Sequence, residues 1–229
     1  MWKPGGRKCS QKRRAANKTI TATERDIRNM EKREYSAGAV KHSFWFMEFR
    51  KVVTLRNEGK TWEELQTMNE AENLFGAPTK LRSSQIWSTV SGRMKSLDDS
   101  FIPVFLRCDV ASQKLLALVA AMAYDSLFGE FVYEVLREKM IVGSNEFSDG
   151  DIRIFFNHKQ VQNEKVAQWT DETLARLGRC YKTMLYEAGV IEKTRNVRKI
   201  LRPIPDLLLE QWLMEHQMEY YLKALTGVR

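Results

Sequence analysis

The chain has 229 residues, of which 43% are hydrophobic and 29% charged, a length and composition typical of a folded globular protein with one or two domains. Its most apolar run, residues 115–124, is too short for a membrane-spanning helix, which needs roughly 20 residues. Three widely spaced cysteines are typical of a reducing compartment, so we expect a cytoplasmic protein that does not insert into a membrane.

The excess positive charge lies at the beginning of the chain. The net charge is +8, and residues 1–33 alone hold eleven Lys or Arg against three Asp or Glu. The rest of the sequence is therefore electrically balanced. Gly, Pro and cations without an apolar stretch predict a basic, flexible arm over residues 1–34 and exclude a secretory signal. A nucleic-acid-binding surface on the remainder would require cations and carboxylates to be sorted onto different elements.

Residues 35–97 predict three helices joined by short turns. The first runs from Phe44 to Glu58 and stops at Gly59. Thr61 and the glutamate three residues later form a capping box for the second helix, and Thr79 caps the third. This order is the layout of a helix-turn-helix unit. The residues expected on the inner face of the first helix are Phe44, Met47, Val52 and Leu55.

The third of these helices, residues 79–97, carries four cations and several hydroxyl groups but no carboxylate. A helix that enters a DNA groove needs donors for phosphates and bases and no carboxylate to repel them. The acids lie on the preceding helix instead. The alternative interpretation is an ordinary solvated helix face. The residues expected to face inward are Ile86, Val90, Met94 and Leu97, and those expected to face outward are Lys80, Ser84, Ser88, Ser91 and Lys95.

Residues 98–142 are densely apolar and predict a buried helical core that ends at Gly143. A second unit follows, in which Ser148 and Thr170 cap two helices. Leu174, Leu177, Tyr181 and Leu185 form the inner stripe of the second of these helices.

A hairpin is predicted after these helices, because apolar pairs at 190–191 and 200–201 flank a charged centre. Residues 193–202 contain five cations and no acid, and Arg176, Arg179 and Lys182 on the preceding helix extend the same patch. Helix, helix and basic hairpin is the order of a winged helix-turn-helix, here over residues 148–203. The alternative is a solvated β-hairpin with ordinary charges. Helices from about residue 206 to 225 close the chain.

The predicted fold is thus mainly α. A compact helical protein would consist of the arm (1–34), an N-terminal helix-turn-helix unit (35–97), and a helical core with a C-terminal winged-helix-like unit carrying a short β-hairpin (98–229).

No catalytic constellation is recognisable in the sequence. It contains no glycine-rich phosphate loop, nucleophile elbow, HExxH or paired CxxC motif. The histidines and cysteines are scattered without metal-ligand spacing, and acid pairs such as Asp98–Asp99 lie where helix capping explains them. We therefore expect a protein that is not an enzyme and has no cofactor, metal or small-molecule substrate.

Several segments carry a resemblance to a known family: "SFWFMEF" (43–49), "DSLFGEFVYEVLREK" (125–139), "FSDGDIRIFF" (147–156) and "RPIPDLLL" (202–209). They are similar to the BrxA family of bacterial BREX phage-exclusion systems, and the resemblance extends in order from Tyr35 to the C-terminus. It implies a small, mostly helical protein that binds double-stranded DNA as an accessory in a multi-protein defence system with methyltransferase and ATPase partners. It offers no catalytic residue.

The sequence therefore predicts a non-enzymatic accessory protein of phage defence whose partners are double-stranded DNA and other BREX proteins. Two alternatives remain open. One is an interaction module that docks other defence components through aromatics such as Trp62, Trp87 and Trp212, and the other is an RNA-binding helical protein. The candidate DNA contacts are Lys80, Arg82, Ser84, Gln85, Ser88 and Lys95 on the third helix and Lys193, Arg195, Arg198 and Lys199 in the hairpin.

Within this hypothesis the Arg and Lys side chains are assigned to phosphates, whereas Ser84, Gln85 and Ser88 are the candidates for base edges. Arg93 is also assigned to a phosphate. It is the weakest candidate, because it lies on the inward side of the helical wheel.

Overall fold

A computed structural model of the chain describes residues 34–192 and 197–228 and confirms that the protein is mainly helical, with one small antiparallel sheet. The basic arm lies outside the described residues except for Glu34. The buried apolar side chains form one cluster, to which both predicted units contribute.

The N-terminal part contains a 3₁₀ turn and three helices, as its capping signals predicted. The carboxylate of Glu64 accepts from the Thr61 N–H at 2.8 Å and the Thr61 hydroxyl accepts from Glu64 N, which completes the capping box. Thr79 Oγ1 accepts from Arg82 N at 3.1 Å. The elements are the turn Ala37–Lys41 and the helices α1 (Phe46–Asn57), α2 (Trp62–Glu72) and α3 (Lys80–Lys95).

The predicted inner face of α1 was wrong in part. Trp45 adopts a left-handed conformation with φ of 52°, so the helix begins after it. Phe44 precedes the helix but is buried as predicted, at 1% exposure. This start rotates the inner stripe, and Met47, expected inside, is 66% exposed. The buried residues of α1 are Phe46, Phe49, Val52 and Val53.

The central helices form the interior of the molecule. They are α4 (Phe101–Arg107), α5 (Val110–Tyr124) and α6 (Ser126–Ile141). Helix α6 is continuous and contains a π-helical turn at Val132–Arg137, between the α-helical segments Ser126–Phe131 and Glu138–Ile141.

Within the described ranges, no single helix is both long and apolar enough to cross a bilayer. Helices α5 and α6 reach that length and composition only as a pair, with a bend of 118° between them. The apolar side chains of both are largely buried within the protein.

The C-terminal part alternates helices with two short strands. Its elements are β1 (Glu146–Ser148), α7 (Asp149–Gln162), α8 (Glu164–Ala167), α9 (Asp171–Glu187), β2 (Val197–Lys199), α10 (Leu207–Glu215) and α11 (Glu219–Thr226). The predicted inner stripe of α9 is buried throughout.

The predicted pairing of residues 190–192 with 199–201 is present. Ile191 and Ile200 form an antiparallel bridge, and Glu192 N donates to Lys199 O at 3.0 Å. The regular partner of β2, however, is β1, with Phe147 opposite Arg198. The sequence does not predict β1, because a three-residue strand whose paired residues lie 49 to 53 positions later in the chain leaves no recognisable pattern.

One buried ionic cluster joins α6 to α7. Lys159 is 4% exposed, and its ammonium group donates to Glu130 at 2.5 Å and to Glu134 at 2.7 Å. The Tyr35 hydroxyl donates to the same Glu130 at 2.7 Å. Burial alone would lower the pKa of Lys159, but the hydrogen bonds and charges of the two glutamates raise it. The cluster therefore ties the first described residues to the central helices.

Arg93 forms a second buried tie, between α3, the segment before α1, and α9. It is 3% exposed, its Nη1 donates to the Phe44 carbonyl at 2.6 Å, and its Nη2 lies 3.5 Å from Met184 Sδ. The inward position that the helical wheel indicated is confirmed, and Arg93 is therefore not available to a phosphate.

We predict that Arg93→Ala lowers the free energy of unfolding by about 3 kcal/mol, because it leaves a buried carbonyl without its donor and opens a cavity. Lys80→Ala, on the exposed side of the same helix, should change it by less than about 0.5 kcal/mol. Urea unfolding followed by circular dichroism measures both. Equal effects of the two substitutions would contradict the role of Arg93.

Candidate nucleic-acid interface

The α2–α3 pair is held in a fixed arrangement by polar side chains in and beside its turn. Asn73, left-handed at φ of 51°, donates from Nδ2 to Ala77 O at 2.8 Å and accepts from Ala77 N at 2.9 Å. In the interior, Ser83 Oγ donates to Asn69 Oδ1 at 2.8 Å. These bonds fix the direction in which α3 leaves the turn and therefore the direction that its outer face presents.

The outer face of α3 displays four of the predicted contact residues together. Lys80, Ser84, Ser88 and Lys95 are exposed, and the predicted inner residues Ile86, Val90, Met94 and Leu97 are buried. Ser91, expected on the outer face, is only 7% exposed, and its hydroxyl donates to the Trp87 carbonyl at 2.6 Å. The exposed face is thus narrower than predicted, because Ser91 is buried and hydrogen-bonded to the helix backbone.

Arg82 and Gln85 lie half-buried at the edge of this face. The Arg82 guanidinium lies 4.9 Å from the centre of the Trp45 ring and donates to Lys41 O and to Gln85 Oε1, both at 3.4 Å. Arg82 is therefore a cation held by aromatic and backbone contacts, and Gln85 is engaged with it.

Trp62 supports the other end of the face. It lies between two cations, with Arg56 at 4.8 Å and Lys95 at 4.9 Å from the ring centre, and it contacts Trp87 at 6.2 Å between ring centres. The expectation of exposed aromatics was wrong. Trp62 and Trp87 are half-buried in the α2–α3 contact and Trp212 is 4% exposed, because each tryptophan packs its ring against neighbouring helices.

Within the α2–α3 pair, the acidic residues lie on α2, as the sequence indicated. The exposed carboxylates of α2 are Glu63, Glu64, Glu70 and Glu72, whereas α3 has none. Charge in the electrically balanced body is therefore sorted between two adjacent helices, and the outer face of α3 carries positive charge only.

Of the predicted hairpin contacts, the structure describes Arg198 and Lys199. Lys193 and Arg195 lie outside the described residues, and Lys199 is exposed. Arg198, expected on the surface, is 9% exposed, and its Nη1 donates to Asp149 Oδ1 at 2.9 Å. Its position opposite Phe147 in the β1–β2 ladder turns the side chain inward, which the sequence did not reveal because it did not predict β1.

Asp149 also accepts from Lys182 of α9 at 2.8 Å. Partial burial would raise the pKa of Asp149, but the hydrogen bond from Lys182 and the charges of Lys182 and Arg198 outweigh it and lower the pKa. On the outer side of α9, Arg176 and Arg179 are exposed. Arg176 and Arg179 of α9 therefore join Lys199 of β2 as exposed cations of the second cationic surface.

His42 lies where the turn before α1 meets α3. Its ring centre is 6.1 Å from that of Trp45 and 6.4 Å from that of Tyr124. Burial, and after it the positive charges of Arg93, Arg82 and Lys41, lower the pKa of His42 to about 4. The histidine is therefore neutral at pH 7, and its protonation would place another cation in an already cationic junction.

Comparison with known proteins gives consistent matches. The family model described as BrxA matches residues 33–217. A protein named BREX protein BrxA, from Bacillus cereus (strain H3081.97), is 36% identical over 182 residues, which cover 80% of this chain and 91% of the relative. The crystal structure of an uncharacterized protein from Magnetospirillum magneticum superposes with a TM-score of 0.71 at 18% identity, covering 86% of this chain and 100% of the other. The last match shows a shared fold.

We predict that His42 makes folding sensitive to pH below neutrality. An unfolded-state pKa of about 6.5 against a folded value near 4 means that the unfolded chain binds the proton first. The stability from neutral His42 is complete above about pH 6.5 and is lost as the pH falls toward 4. Between pH 7 and 5 the loss should be about 2 kcal/mol. Urea titrations at both values should show a smaller loss for His42→Phe; an equal loss would exclude His42 as its source.

Proposed function

The chain belongs to the BrxA family of BREX phage-defence proteins, and on that premise we propose that it is a non-enzymatic accessory protein that binds double-stranded DNA through the outer face of α3. A second contact lies on α9 and the hairpin. Other BREX components are its protein partners, and it carries out no chemical step itself.

The observation that supports this proposal best is the acid-free outer face of α3. Lys80, Ser84, Ser88 and Lys95 are exposed along a helix of 16 residues, about 24 Å in length. The DNA major groove is wide enough to admit an α-helix. Hydroxyl groups on such a helix reach base edges, and ammonium groups reach phosphates. Within the α2–α3 pair, the carboxylates that would repel DNA lie on α2, on the other side of the turn.

The order of elements in the C-terminal part supports a second DNA-binding unit. Strand β1, helices α7 and α9, and the antiparallel ladder at 190–201 follow one another in the order of a winged helix-turn-helix, with α9 at the position of its recognition helix. On this assignment the exposed Arg176 and Arg179 of α9 and Lys199 of the ladder are the phosphate ligands.

We predict that the double substitution Lys80→Glu and Lys95→Glu weakens binding about tenfold or more at every DNA sequence, because each lysine neutralises a phosphate and carries no base information. The slope of log affinity against log salt should fall by about 1.8. Mobility-shift titrations of a 30-base-pair duplex at two salt concentrations give both values.

The matched control is Arg107→Glu with Lys223→Glu, two cations on α4 and α11 that lie outside both proposed contacts and change the net charge by the same amount. Unchanged affinity of the α3 variant, or equal losses in both variants, would remove α3 from the interface.

Deletion of residues 1–33 tests whether the body itself binds DNA. Because these residues hold the whole net charge of +8, they would attract DNA even without a specific site. The proposal requires that the shortened protein, beginning at Glu34, still binds the duplex with a salt-dependent affinity. Complete loss of binding would mean that the arm alone makes the contact. Competition by duplex or single-stranded RNA distinguishes the RNA-binding alternative.

A docking role for other BREX components has one structural observation in its favour. A groove of about 470 Å³ runs along α1, and its apolar lining comprises Met47, Leu55, Leu74 and Phe75. Met47 is 66% exposed and adjoins the other apolar residues of this lining, so the groove presents a contiguous apolar surface of the kind that protein partners cover. Pull-down with purified BREX components, comparing the wild type with Met47→Asp, tests this second function. The absence of any complex at micromolar protein would exclude it.

A further inference from the structure

A groove separates α9 from the antiparallel ladder at 190–201. It has a volume of about 280 Å³, and three cations line it: Arg179 and Lys182 from α9 and Arg198 from β2. Thr183 and Tyr186 also line it, and Glu192 is its one lining carboxylate among the described residues. Arginine and lysine side chains are the donors that proteins use most to bind a phosphate group.

One carboxylate holds the two inner cations of this groove. Asp149 Oδ1 accepts from Lys182 Nζ at 2.8 Å and from Arg198 Nη1 at 2.9 Å. The side chains of Lys182 and Arg198 are 17% and 11% exposed, but that of Asp149 is 49% exposed. The carboxylate is therefore open to solvent while the cations that it binds are largely covered.

Helix capping does not account for Asp149. The neighbouring Asp151 performs that role, since its Oδ2 accepts from Ser148 N at 2.7 Å and from Ser148 Oγ at 3.0 Å. Asp149 is thus directed to Lys182 and Arg198, and an ion pair with a solvent-open partner stabilises a fold only slightly. The arrangement is better explained by a role for the two cations themselves.

We propose that this groove binds one backbone phosphate of DNA and that Asp149, which pairs with two of the lining cations from outside the groove, competes with that phosphate for them. In the unbound protein Asp149 neutralises part of the charge of Lys182 and Arg198. Arg179, exposed at the edge of the groove, makes the first contact. This inference rests on the proposed DNA-binding function and assigns to Asp149 the setting of its affinity.

The direct test is Asp149→Asn in the full-length chain. Removal of the competing charge should tighten DNA binding about tenfold at low salt and steepen the salt slope by about one, because one further cation becomes available to phosphate. Glu215→Gln is the matched control, since it removes an exposed carboxylate from α10, outside both proposed DNA contacts. Unchanged or weaker binding of Asp149→Asn, or an equal gain in Glu215→Gln, would overturn the proposal.

Arg179→Ala provides a second test that does not disturb the Asp149 contacts. It should weaken DNA binding and reduce the salt slope by about one, whereas Arg107→Ala, on α4, should leave both unchanged. Circular dichroism verifies that each variant is folded. If Asp149→Asn proves unfolded, Arg179→Ala decides, and normal binding by that variant overturns the site.

Failure of the groove and failure of DNA binding give different results. If the wild type binds DNA with a salt-dependent affinity and the groove variants behave like their controls, the groove proposal is wrong and the proposed binding through α3 stands. If the wild type fails to bind duplex DNA at low salt, the proposed function is wrong and the groove proposal falls with it.

Discussion

The hydrogen bond from the buried Arg93 guanidinium to the Phe44 carbonyl is the contact on which the N-terminal architecture depends. It joins α3 to the segment before α1, and the same side chain reaches Met184 of α9. Burial lowers the pKa of Arg93 to about 10, so the group stays charged at neutral pH. A buried cation makes its geometry obligatory, since any other arrangement leaves the charge without a partner. The outer face of α3 owes its orientation to this constraint on the inner face.

A body without net charge can present a cationic surface only by sorting its charges, and the structure does so at two scales. On the scale of helices, α2 holds exposed carboxylates and α3 has none. On the scale of single groups, Asp149 neutralises part of the charge of Lys182 and Arg198, while Arg176 and Arg179 stay exposed on the same helix. Aromatic rings reinforce the first pattern, because Trp45 holds Arg82 and Trp62 holds Lys95 at the edges of the α3 face.

Polar contacts between distant parts of the chain could not be predicted from the sequence. Lys159 carries no signal of its burial, because its partners Glu130 and Glu134 lie on a different helix. The same holds for Arg198, which belongs to a basic run and yet faces inward toward Asp149. In both cases the sequence predicts that a charged residue is exposed to solvent, but the residue is buried and paired with a carboxylate from a distant element. The left-handed Trp45 was also not predicted. It excludes Phe44 from α1, so the inner face differs from the predicted one and Met47 is exposed.

The sequence by itself determined the helical class, the capping of α2, α3 and α9, and the inner stripes of α3 and α9, because caps and helical periodicity act between residues a few positions apart. It also located the pairing of residues 190–192 with 199–201 and identified the outer face of α3. Only the tertiary structure decided that β1 completes the sheet, that Ser91 and Arg198 are buried, and that Lys182 and Arg198 share one carboxylate, that of Asp149. These features depend on groups brought together across dozens of residues, and no local pattern in the chain records which distant partner each one meets.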